Sequence, residues 1–144
     1  MPDIPNFNDK FLLITKKELF YTAAMLQLRQ LVNIVYDFPA DEARFDKELN
    51  EARASLRKKK LLTESARGGT TLDFALIVCA IFCSAPETCE IIDSNGYRAT
   101  IYNGGGVSLL LEKRSEDELA SILFANREKL DQYVNSKLNE RTGE

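Results

Sequence analysis

The sequence predicts an α+β fold in which an antiparallel β-meander packs against helices. Three observations carry that expectation. Charged stretches with apolar residues three and four apart fill the first half, and an all-apolar run, Phe74 to Cys83, lies in the middle. After Pro86 the period changes to two, with glycine turns between short β-rich runs. At 144 residues, with 44% hydrophobic and 28% charged positions, the chain has the composition and length of one globular core. A single domain over residues 1–144 is expected, with residues 1–10 and 139–144 flexible.

Thr15 and Glu18 have the spacing of a capping box, so a helix starts there. Leu19, Ala23, Leu26, Val32 and Val35 extend its apolar stripe, and Asp37-Phe38-Pro39 is its expected stop. From about Asp41 a second helix presents Phe45, Leu49, Ala52 and Leu56 on one side, and Lys58-Lys59-Lys60 suits its carbonyl end. Leu61 to Glu64 and Thr70-Thr71 flank Arg67-Gly68-Gly69 as a small hairpin. Thr71 or Asp73 then caps a helix over Phe74 to Cys83, and a helix with no polar face is expected in the centre of the fold.

Thr88 to Ile92, Tyr97 to Tyr102 and Val107 to Glu112 read as three strands joined by the turns Asp93 to Gly96 and Asn103 to Gly106. Tyr97, Ala99 and Ile101 should face helices, with Arg98, Thr100 and Tyr102 on a wetter face. Ser115 and Glu118 form a second capping-box pattern, from which a helix through Leu119, Ile122 and Leu123 is expected. A last helix follows through Leu130, Val134 and Leu138.

The chemistry-bearing residues point away from catalysis. There is no histidine, the usual acid-base group at neutral pH, and the acids of the second helix alternate with bases as a solvated face does. Cys79, Cys83 and Cys89 lack the companions a zinc site needs, so the first two are expected to be reduced, unligated core thiols. Gly104-Gly105-Gly106 leads into a strand, not into the Lys-Ser/Thr and helix of a phosphate loop. No enzymatic activity, no cofactor and no metal are expected. The net charge of −3 offers nucleic acid no global field. With no secretory leader at Met1 to Asn6 and an apolar run half the length of a membrane span, a cytoplasmic location without a membrane partner is expected.

From Leu49 to Phe124 the order of Glu51-Ala52-Arg53-Ala54-Ser55-Leu56-Arg57, Arg67-Gly68-Gly69, Phe74 to Phe82, Gly96-Tyr97-Arg98-Ala99, Tyr102 and Asp117-Glu118-Leu119 resembles the EspG-like secretion-associated chaperones of type VII (ESX) secretion. Leu12 to Leu19 is similar to that family's start. The resemblance implies a cytosolic chaperone of secretion substrates built from two like α+β halves about a pseudo-twofold axis. This chain has length for one half, which implies a homodimer in place of the two halves. With no tryptophan it lacks the Trp-x-Gly hairpin of a substrate, so it would be escort and not cargo.

A partner-binding site is expected at Asp93, Asn95, Tyr97, Tyr102 and Asn103, where turns and tyrosines lie together in sequence. The partner would be a helical secretion substrate. Two other readings compete: a winged-helix-like DNA-binding regulator using Ala52 to Thr71, and a small enzyme with convergent carboxylates in a deep polar pocket.

Overall fold

The computed structural model describes residues 12–36 and 39–142. It is an α+β structure with four helices, a five-stranded sheet and a two-stranded sheet. The described residues fall into two compact units. Ile14–Ala85 forms one, and the described residues on either side of it form the other.

In the helical unit, α1 (Lys16–Met25) starts at the capping box read from sequence, with Thr15 as N-cap. The Glu18 amide donates to Thr15 Oγ1 at 3.1 Å, and the Thr15 amide donates to Glu18 Oε1 at 2.8 Å. The helix is much shorter than its apolar pattern suggested. Gln27 turns left-handed at φ 58°, and the Leu28 and Gln27 amides donate to Ala23 and Ala24 at 2.8 and 3.1 Å, which is a Schellman ending. The chain then runs irregularly, and its Val32 amide donates to the Cys83 carbonyl at 2.7 Å. Leu31 and Ile34 are buried while Val35 is exposed. Of the expected stop signal, Asp37 and Phe38 lie outside the described residues, as do residues 1–10.

Asp41 caps α2 (Glu42–Lys58), accepting from the Ala43 amide at 3.1 Å. Ala52 and Leu56 are buried, and Phe45 and Leu49 are half-buried, as the one-sided pattern requires. This helix also ends in a Schellman motif, with Lys60 at φ 64° and the Leu61 amide donating to Leu56 at 2.9 Å. The small hairpin pairs β2 (Leu62–Glu64) with β3 (Thr70–Leu72) around Gly68, whose φ of 87° favours glycine. Asp73 caps α3 (Phe74–Ser84), accepting from the Ala75 amide at 2.9 Å.

α3 corrects the expectation of a wholly central helix. Leu76, Cys79, Ala80 and Cys83 are buried on one arc, but Phe74 is 68% and Ile81 50% exposed on the opposite arc. An all-apolar helix shows no periodicity from which its buried side can be read.

The other unit is a sheet in the order β1-β7-β6-β5-β4, with β4 (Thr88–Ser94), β5 (Tyr97–Gly104), β6 (Val107–Lys113) and β7 (Glu118–Phe124) paired antiparallel in sequence order. β1 (Leu12–Thr15) lies beside β7. Asn95-Gly96 and Gly105-Gly106 all have positive φ, the type I′ geometry whose twist matches a hairpin. The helix expected from Ser115 is instead β7. Ser115 Oγ accepts the Glu118 amide at 3.1 Å, while the Arg114 amide donates to the Glu118 carbonyl at 2.9 Å, so the capping-box residues close a hairpin. Alternation of Ala120, Ile122 and Phe124 with Leu119, Ser121 and Leu123 fits the strand.

α4 (Arg127–Thr142) continues through Asn139 to Thr142. Its Leu130 and Val134 pack on Tyr97, Ala99, Ile101, Leu110, Ile122 and Phe124 from one face of the sheet. The expected helix-facing set on β5 is therefore correct. The expected wetter face is not uniform: Arg98 is exposed, Thr100 half-buried and Tyr102 fully buried. No helix among the described residues is long and apolar enough to cross a membrane.

Candidate partner-binding surface

The five residues proposed from sequence do not converge. Successive turns of a meander lie at opposite ends of their shared strand, so Asp93 and Asn95 sit at one end of β5 and Asn103 near the other. Asp93 is exposed and pairs with Arg98 at 3.6 Å. Asn95 occupies the left-handed first position of its turn.

The two tyrosines must be withdrawn as contact residues. Tyr97 is buried beneath α4 and its hydroxyl donates to Glu112 Oε2, while Arg114 Nη2 donates to Glu112 Oε1 at 2.8 Å. Burial, and then the hydrogen bond to Glu112, push its phenol well above the usual range. Tyr102 is 0% exposed. A tyrosine's apolar ring fills a core as readily as an interface, and strand alternation does not distinguish the two.

Asn103 belongs to an ion-pair network instead. Its Nδ2 donates to Thr88 Oγ1 and Glu90 Oε2, both at 2.9 Å, and its Oδ1 accepts from Ser108. Arg127, in the first turn of α4, grips Glu90 with Nη1 and Nη2 at 2.6 and 2.9 Å and reaches Asp131 with Nε at 2.9 Å. The Arg127 guanidinium, helped by Asn103, holds the Glu90 carboxyl down at about 2. Such a carboxylate stays ionised and is poorly suited to proton transfer near neutrality.

The bases after α2 are similarly engaged. Arg53 Nε donates to Glu64 Oε1 at 3.2 Å, its Nη2 donates to Oε2, and Arg57 Nη2 lies 2.6 Å from Oε1. The Arg53 hydrogen bond holds the Glu64 carboxyl below its ordinary range. Lys59 Nζ donates to Glu18 Oε1 at 2.6 Å, and Ser55 Oγ donates to the other oxygen; Glu18 is 1% exposed. A shallow groove of about 460 Å³, lined by Arg57, Lys60, Leu62, Thr63 and Glu64, offers one carboxylate, already held by two arginines.

Accessible apolar surface lies on α3. Phe74, Ile77, Val78 and Ile81 share one helix face by their spacing of three, four and seven, with the first and last exposed and the middle two half-exposed. The helix carries no charged side chain. Sequence reasoning missed this face because every residue of the run is apolar. The one available signal was Asp73, whose capping role fixes where the helical phase begins.

Compared with known proteins, the chain matches no family model and no curated sequence.

Proposed function

We propose that the chain is a non-enzymatic binding protein, a chaperone or accessory factor for type VII secretion substrates, that holds a helical partner on the exposed face of α3. The observation carrying the binding surface is the pair Phe74 and Ile81, one heptad apart and largely open to solvent on an uncharged helix. An amphipathic partner helix buries such a stripe without desolvating any charge. The secretion assignment is supported by the resemblance of residues 49–124 to EspG-like chaperones. The same resemblance supports a homodimer in the cytoplasm.

The succession of α2 and the β2-β3 hairpin favours the winged-helix reading in outline. Against it, Arg53, Arg57 and Lys59 are committed to Glu64 and Glu18, which competes with phosphate contacts. A pull-down from the native host, with Phe74→Ser and Ile81→Ser in parallel, tests both. Retention of a small helical secretion substrate by the parent and not by the variants is expected. Retention of DNA without any secretion component would overturn the assignment.

A further inference from the structure

We propose that the Asn95-Gly96 turn is a site of spontaneous covalent modification, where the Asn95 side chain cyclises onto the Gly96 amide and opens in water to aspartate and isoaspartate. This goes beyond the binding reading above and stands without it. Asparagine is thermolabile, and the reaction needs a following residue that leaves its backbone nitrogen open to the side chain. Glycine does so, having no Cβ beside the amide. The sequence contains that pair twice, at Asn95-Gly96 and Asn103-Gly104. Only the fold tells the two apart.

Asn95 and Gly96 are both exposed and fill the two central positions of a type I′ loop, at φ 54° and 80°, closed by Ser94 opposite Tyr97. Central residues of such a loop lie outside the ladder of strand hydrogen bonds, so the Gly96 nitrogen, the nucleophile, is not tied into the sheet. Ring closure has to turn the Asn95-Gly96 peptide out of its left-handed geometry, and at an exposed hairpin tip that disturbs at most the closing pair. Asn103 sits instead inside β5, opposite Thr88 of β4 and Ser108 of β6. Its Nδ2, the leaving group, donates to Thr88 Oγ1 and Glu90 Oε2, both at 2.9 Å, and its Oδ1 accepts from Ser108 Oγ at 2.5 Å. Its carbonyl accepts the Glu87 amide at 2.8 Å. Gly104 stands opposite Val107 as the pair that closes the next two-residue loop, which holds its nitrogen in the ladder. Both reacting groups are therefore anchored at Asn103-Gly104, whereas Asn95-Gly96 stands at an exposed tip.

The atoms balance with water alone. Hydroxide takes the Gly96 amide proton, the nitrogen attacks Asn95 Cγ, and the bond from Cγ to Nδ2 breaks to release ammonia, which takes its last proton from water. One water then adds to either carbonyl of the cyclic imide. Opening at Cγ leaves aspartate, and opening at the main-chain carbonyl leaves isoaspartate, with the chain rerouted through Cβ and Cγ. Each product adds a negative charge two residues from Asp93. Isoaspartate also lengthens by one methylene a loop whose two-residue length fixes the register of β4 on β5.

The test ages the full folded chain in warm, mildly alkaline buffer made with heavy-oxygen water, then digests it with trypsin in ordinary water and weighs the peptides. Cleavage after Arg67, Arg98 and Lys113 puts Asn95 and Asn103 in separate peptides, 68–98 and 99–113, each with a single asparagine and no glutamine. Label should enter peptide 68–98 at least about tenfold faster than peptide 99–113, the margin expected from one hydrogen bond to a charged group. In concentrated urea the two peptides should take up label at comparable rates. Asn95→Gln should leave peptide 68–98 unlabelled. Thr88→Val with Ser108→Ala, which removes two partners of Asn103, should speed labelling of peptide 99–113 while circular dichroism and the Asn95 rate stay unchanged. Equal rates in the folded chain overturn the proposal, as does label persisting in peptide 68–98 of Asn95→Gln. The same preference for Asn95 in urea also overturns it, because neighbouring residues and not the fold would then choose the site.

Discussion

Lys58, Lys59 and Lys60 are chemically identical neighbours that meet three different requirements. Lys58 is the last helical residue of α2, Lys59 reaches the buried Glu18, and Lys60 adopts the left-handed turn that ends the helix. Replacing Lys59 by Met leaves a carboxylate in the interior without its cation and should cost about 2 kcal/mol, while Lys58→Met should stay within about 0.5 kcal/mol. Lys60→Gly and Gln27→Gly should each stabilise by about 0.5–1 kcal/mol, because glycine relieves the left-handed strain at a Schellman position. Urea midpoints for these variants check all four. Glu90 adds a pH signature. Its carboxyl lies near 2 in the fold against 4.5 ordinarily, so its contribution is complete above about 4.5 and fades as pH falls towards 2. The pair is nearly half exposed, so solvent screening holds Glu90→Gln to about 1 kcal/mol at pH 7. The difference between variant and parent should shrink over that acid window in pH-dependent denaturation.

At the level of elements, legibility followed the presence of contrast in the sequence. α2 was readable because charges outline its apolar side, and the two I′ hairpins because Asn-Gly and Gly-Gly announce positive φ. The early end of α1 was hidden because Gln27 and not glycine occupies its left-handed position. β7 was misread because Ser115 and Glu118 satisfy a hairpin with the spacing that caps a helix. Among the expected site residues, burial and not residue type decided the outcome for Tyr97 and Tyr102. α3 yields a test of its half-exposed state. Phe74→Ser should change stability by less than about 1 kcal/mol, whereas Leu76→Ala should cost about 2–5 kcal/mol, since one ring is already in water and the other side chain leaves a cavity. Thermal unfolding of the two variants distinguishes this from a fully central helix, for which both would be severe.

For the whole molecule, the order of elements along the chain differs from their order in the sheet. Among the described residues β1 is the first strand made, yet its neighbour β7 comes after the entire helical unit and three other strands. The helical unit is continuous and can close on itself as soon as Ser84 has been synthesised. The sheet has to wait. At ~5–20 residues per second, of order 10 s of synthesis separates β1 from β7. During that interval Leu12 and Leu13 have no sheet to join, and the late closure of a long loop is also the slow kind of step in refolding. Nascent chains halted after Lys113 should therefore show protease protection across residues 14–85 before Leu12 and Leu13 are protected.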